Sequence, residues 1–173
     1  MKRVYNHRFK KEMYDLVIGD YIATREKEII ISTILGPCIA VCLIDKLTGT
    51  VGMNHFMMPG ASKGQDVRYG LDSTEKLIEE MVCAGASENR LKAKVFGGAV
   101  MTNHGQATSK SSDNVPFIEE YLASKKIPIE ARDTGSHCGR RIYFCTTTYA
   151  VWLKKFNKEF YQKKFAAGGF EEF

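Results

Sequence analysis

Two short runs hold residues able to do covalent chemistry: Ser32-Thr33-Ile34-Leu35-Gly36-Pro37-Cys38, and Gly52-Met53-Asn54-His55-Phe56-Met57-Met58-Pro59. Cysteine attacks only as its thiolate, so it needs a basic or cationic neighbour, and an imidazole supplies both. Cys38 and His55 are the candidate pair. A third polar side chain commonly orients such an imidazole, and Ser32 and Thr33 are the nearest hydroxyls in sequence. Strand alternation lets only one of the two face the site. Gly36 suits a turn that brings backbone close to a substrate. Pro37 fixes its own φ and has no N–H, so an oxyanion would draw on other donors, the Cys38 amide among them.

Strand geometry brings the pair together. Ile39 to Ile44 and Val51 to Met57 are apolar, β-branched-rich runs around Asp45-Lys46-Leu47-Thr48-Gly49, which reads as a β-hairpin. A tight connection between Asp45 and Thr48 sets Cys38 opposite His55, whereas a longer loop using Gly49 shifts the register by about a residue. The residues alone leave two other readings open. Cys38 and Cys42 are also what two small hydrophobes on one face of a core strand look like, with His55 a satisfied core histidine. Zinc on Cys38, Cys42 and His55 is a third reading, disfavoured because Cys-x3-Cys on a strand splays its ligands along one face.

The elements that must position these residues are mostly strands. Leu16 to Ala23 and Glu28 to Thr33 read as strands leading into the hairpin, and Leu91 to Val95, Ile127 to Arg132, Arg141 to Cys145 and Tyr149 to Leu153 follow. Two helices interrupt them. Asp72, with Glu75 three residues on, caps one that carries Leu77, Ile78, Met81 and Val82 and ends at Gly85. The other starts near Asp113 or Asn114, tolerates Pro116 in its first turn and buries Phe117, Ile118, Tyr121 and Leu122. The expected fold is α+β, a mainly antiparallel β sandwich with helices packed on the outside. Gly97 and Gly98, at the end of a strand, are placed to let backbone approach a substrate near Cys38, or simply to turn the chain.

At 173 residues, 44% apolar and 26% charged, the chain fits one globular domain, expected over residues 1–154, with a basic extension and flexible tail over 155–173. Ile29-Ile30-Ile31 is far too short to span a bilayer and Met1 to Glu12 is basic and polar, so a cytoplasmic, soluble protein with no membrane insertion is expected. Five cysteines, at 38, 42, 83, 138 and 145, lack disulfide-scaffold spacing and suit a reducing compartment. The net charge of +5 gathers at the ends, in Lys2, Arg3, Arg8, Lys10 and Lys11 and again in Lys154, Lys155, Lys158, Lys163 and Lys164. Without a nucleic-acid-binding motif these are solvated faces suited to steering onto an acidic partner.

Five ordered pieces carry a resemblance to a known family: Leu35 to Leu43, Met53 to Pro59, Arg68-Tyr69-Gly70, Lys94 to Ala99 and Gly139-Arg140-Arg141. Together they resemble the bacterial chemotaxis family CheD, the chemoreceptor glutamine deamidases. The resemblance implies a nucleophilic Cys38, a His55 base and an upstream hydroxyl, at Ser32; Gly36, Asn54, Gly97 and Gly98 are expected on the substrate side. It implies hydrolysis of receptor glutamine to glutamate through a cysteine thioester, without metal or organic cofactor, and the same intermediate would serve receptor methyl esters. The partners implied are methyl-accepting chemotaxis receptors and the CheC phosphatase, and an adaptor acting by CheC binding is the alternative. The ending Phe170-Glu171-Glu172-Phe173 looks like a tether for the receptor methyltransferase. The chain departs from the family pattern at Pro37, where serine is common, and in the run after Ala99.

Overall fold

The computed structural model describes residues 1–100, 113–156 and 173 in full, and residues 102–103, 106–107 and 171–172 as strand backbone. The element order is β1 (Lys2–Asn6), β2 (Lys11–Leu16), β3 (Tyr21–Thr24), β4 (Ile29–Leu35), β5 (Ile39–Asp45), β6 (Thr50–Asn54), α1 (Gly70–Cys83), a short 3₁₀ turn (Glu88–Arg90), β7 (Lys92–Gly97), β8 (Thr102–Asn103), β9 (Gln106–Ala107), α2 (Asn114–Ser124), β10 (Ile129–Thr134), β11 (Gly139–Cys145), β12 (Val151–Phe156) and β13 (Glu171–Glu172). One sheet runs β1-β2-β4-β11-β12-β13, a second β10-β7-β5-β6-β3, and β8 pairs with β9. The fold is α+β. Most pairings are antiparallel, but β2 with β4 and β10 with β7 are parallel.

Alternation along β5 explains the layering. Ile39, Val41 and Leu43 share a core with Leu77, Ile78 and Met81 of α1 and Ile118 and Leu122 of α2. Cys38, Ala40, Cys42 and Ile44 share the other core with Ile31 and Leu35 of β4, Ile142 and Phe144 of β11, and Val151 and Leu153 of β12. The second core therefore fills the space between the sheets, and the helices cover the opposite face of the five-stranded sheet. Gly52 of β6 is required by this packing, because a Cβ there would lie 2.7 Å from Leu77 Cδ1 and 2.9 Å from the Ile22 carbonyl oxygen. No helix among the described residues is long and apolar enough to cross a membrane.

Two expectations change, and one segment gains structure. The strand expected over Leu16 to Ala23 is split, because Gly19 takes φ +87° and turns the chain between β2 and β3. Basic Met1 to Glu12, to which no element was assigned, supplies β1 and the start of β2. Asp72 does not cap α1: its carboxylate accepts the Ser62 N–H at 2.8 Å, while the N-cap is Tyr69 without a side-chain bond. At the other end Phe173 exchanges both main-chain hydrogen bonds with Val151, receives Lys94 Nζ on its oxygen at 2.6 Å, and sets its ring edge-on to Phe96, 5.9 Å between centroids. Phe170, the other aromatic of the expected tether, lies outside the described residues.

Candidate active site

The site lies between the two sheets, where β4 from one faces β5 and β6 from the other. The hairpin closes as Asp45↔Thr50, so the loop holds four residues, 46–49, with Gly49 in the left-handed region at φ +69°. This longer loop carries the pairing on to Ile39↔Phe56, which exchange N–H···O bonds of 2.9 and 3.0 Å. Cys38 is thus not directly opposite His55, as a two-residue closure would have it, but one diagonal step away on the same face. Diagonal neighbours stand roughly 7 to 8 Å apart at the backbone, a gap long side chains can close. Both are buried, Cys38 at 6% exposure and His55 at 4%.

His55 is fixed on three sides. Its N–H donates to the Asp20 carbonyl and its carbonyl accepts the Gly19 N–H, so the turn after β2 clips the backbone. Its ring meets Thr33, with Oγ1 and Nδ1 2.8 Å apart. Thr33 Oγ1 is also 2.8 Å from the Leu16 carbonyl oxygen, which only accepts, so the hydroxyl's single proton goes there. Thr33 must then accept from Nδ1–H. The imidazole is the Nδ1–H tautomer and Nε2 is bare. Nε2 is buried and has no hydrogen-bond partner among the described residues.

Ser32, expected to orient the imidazole, does not reach it. Ile31, Thr33 and Leu35 face the second sheet, so Ser32 points to the outer face, where its Oγ accepts Arg141 Nε at 3.3 Å. Thr33, its sequence neighbour, holds the position. Asn54, expected on the substrate side, has its amide engaged inside the fold: Oδ1 accepts the Val41 N–H at 2.9 Å and Nδ2 donates to Thr74 Oγ1 at 3.1 Å. The two glycines do sit against Cys38. A Cβ on Gly97, at φ +116°, would fall 2.0 Å from the Cys38 carbonyl oxygen, and the Gly98 N–H donates to that oxygen at 2.9 Å. Gly36 contributes its carbonyl oxygen to the Ala99 N–H at 2.8 Å.

Burial sets the charge state of the pair. It pushes the Cys38 thiol up to about 11, against a smaller lowering by its own amide. It pulls His55 down to about 4, although Asp20 and the Leu16 carbonyl act in the other direction. At neutral pH the pair is a protonated thiol and an uncharged imidazole on one face of the sheet, and a substrate would be attacked with proton transfer to Nε2. Cys42, on the same strand face, is raised still further by complete burial. Cys38, Cys42, Cys83 and Cys145 are free thiols, and among the described residues no three His, Cys, Asp or Glu side chains are grouped to hold a metal ion.

One residue was legible only as a helix start. Asn114, the first residue of α2 and fully buried, donates Nδ2 to the Pro37 carbonyl at 3.1 Å and to the Met57 carbonyl at 2.9 Å. Its sequence signal, a polar residue at a helix N-terminus, gives no hint of those partners.

Comparison with known proteins finds relatives of this chain. A family model described as "CheD chemotactic sensory transduction" matches residues 57–155. A Chromobacterium violaceum protein named "Probable chemoreceptor glutamine deamidase CheD 2" is 36% identical over 159 residues, covering 89% of this chain and 79% of that one. A Bordetella avium protein named "Probable chemoreceptor glutamine deamidase CheD" is 37% identical over 158 residues, covering 89% of this chain and 70% of its own length.

Proposed function

The chain belongs to the CheD family, and we propose that it hydrolyses glutamine side chains of chemotaxis receptors to glutamate, with Cys38 as nucleophile, His55 as base and Thr33 orienting the imidazole. The observation that carries this reading is the chain of bonds from the Leu16 carbonyl through Thr33 to Nδ1, which leaves a buried, unprotonated Nε2 on the strand beside Cys38.

The chemistry follows from that arrangement. Cys38 Sγ attacks the carboxamide carbon as its proton passes to Nε2, and the carbonyl oxygen becomes an oxyanion. The Cys38 amide is one donor for it, since no main-chain acceptor takes that N–H among the described residues. His55 then protonates the departing nitrogen, ammonia leaves, and a thioester remains. Water gives a proton to Nε2 and attacks the thioester; glutamate forms and the thiol is restored with that proton. Pro37 supplies no amide to this site. A receptor methyl ester would pass through the same acyl-enzyme with methanol as the leaving group.

The test is peptide-resolved mass spectrometry of a receptor cytoplasmic domain incubated with the wild type or with Cys38→Ala. Conversion of glutamine to glutamate by the wild type alone supports the reading. No conversion by either protein favours the alternative, an adaptor that acts by docking on the CheC phosphatase, a contact that Cys38→Ala should leave intact.

A further inference from the structure

Three successive carbonyls around the nucleophile each receive a donor from the segments that follow β7. Gly36 O accepts the Ala99 N–H, Cys38 O accepts the Gly98 N–H, and between them Pro37 O accepts Asn114 Nδ2. The outer two donors are main chain. The middle one is a side chain, and its second proton goes to Met57 O, two residues beyond His55. Both acceptors are carbonyls, so the amide can be placed only with its nitrogen toward them.

The strand register explains why a side chain is needed there. The hairpin ladder ends at Ile39↔Phe56, and the next hydrogen-bonded rung would join residues 37 and 58. Pro37 has no N–H to give, and the Met58 N–H is taken by the Arg68 carbonyl. The strand carrying the nucleophile and the strand carrying the base therefore lose their own coupling where they approach the site. Asn114 restores it from outside the sheet. Its Oδ1 is buried with no partner among the described residues, a cost that a residue serving only to fill space would not incur.

We infer that Asn114 is a positioning residue that holds the Cys38 loop against the His55 strand and so sets the distance over which the thiol proton is transferred. The inference rests on the proposed Cys38–His55 chemistry but is tested without a receptor. Iodoacetamide alkylation of Cys38, followed on its own peptide by mass spectrometry across pH, reports how well His55 assists the thiol. His55→Gln should slow alkylation near neutral pH by about tenfold, a smaller effect than the roughly hundredfold or more that general-base assistance supplies to a catalysed step. Asn114→Ser and the isosteric Asn114→Asp should slow it nearly as much. The double variant Asn114→Ser with His55→Gln should be no slower than His55→Gln alone, because the two residues act through one coupling.

Wild-type alkylation rates in both Asn114 variants, or a double variant slowed by the product of the single effects, would overturn the assignment. Loss of a cooperative melt in both would also overturn it, in favour of a purely structural role. With a receptor substrate the expected signature is a lower kcat at little-changed KM. A wild type that deamidates no glutamine while the alkylation cycle still couples Asn114 to His55 would refute the deamidase reading and leave this inference standing.

Discussion

Two buried polar groups of the five-stranded sheet, Asp45 at the far end of β5 and His55 just beyond β6, are treated in opposite ways. Asp45 is fully satisfied: it accepts the Leu47 and Ser87 N–H groups at 3.0 Å each and the Arg90 guanidinium at 2.7 and 3.2 Å. Burial opposes its charge, but Arg90 and the surrounding amides outweigh that and hold the carboxyl well below the usual range. His55 has one nitrogen engaged and the other bare, and the Cys38 thiol on the same sheet face is kept protonated by burial. A satisfied buried charge ties the β5–β6 turn to the loop after α1. A half-satisfied buried base adds little to stability and keeps its capacity for a substrate.

Substitutions at the two ends should therefore separate rate from stability. The largest effect is expected from Cys38→Ala, which should lower receptor glutamine conversion by about a thousandfold or more, with thermal unfolding little changed. Thr33→Val keeps the volume but removes both the acceptor for Nδ1–H and the tie to Leu16. It should lower the rate by about a hundredfold, within the range general-base catalysis supplies, whereas Ser32→Ala should stay within about twofold because that hydroxyl faces outward. Equal losses in the two variants would erase the distinction between the faces of β4.

Asp45→Asn should do the reverse. Chemical denaturation at pH 7 should show a loss of about 2 kcal/mol, moderate because Arg90 is partly exposed, with the rate unchanged. The Asp45 pKa is depressed by folding, so its contribution is full above its unfolded value near 4 and fades as pH falls below that; the gap between wild type and variant should close there. His55 is also depressed, to about 4 against about 6.5 when unfolded. The unfolded chain binds its proton first, so stability falls as pH drops from about 6.5 toward 4, and His55→Gln should flatten that slope. The smallest effect is expected from Phe173→Ala, which removes a half-buried ring from the open edge of the inter-sheet core and should cost about 1 kcal/mol in the same assay.

Much of this was legible in the sequence because it depended on short-range pattern. The alternation in β5, the apolar stripe of α1 and the glycines after β7 each dictate a local outcome, and the α+β sandwich follows from their sum. What the residues did not give was pairing at a distance. Whether the hairpin loop held two residues or four turned on Gly49 adopting a left-handed φ, and that choice moved His55 from opposite Cys38 to the diagonal. Which of Ser32 and Thr33 meets the imidazole depended on which face of β4 turns toward the second sheet, a matter of packing between strands far apart in sequence. Asn114 bonds to residues 77 and 57 positions away, through an amide whose partners no local pattern encodes.

The central claim is that Cys38 becomes acylated by a receptor glutamine. Its most direct test is an acid-quenched single turnover with a receptor cytoplasmic domain, measuring the mass of the peptide that contains Cys38. A transient thioester joining the receptor's glutamyl group to Cys38, absent in Cys38→Ala and rising before glutamate accumulates, is the expected result. Conversion of glutamine at the wild-type rate by Cys38→Ala, with no adduct on Cys38 in the wild type, would contradict it.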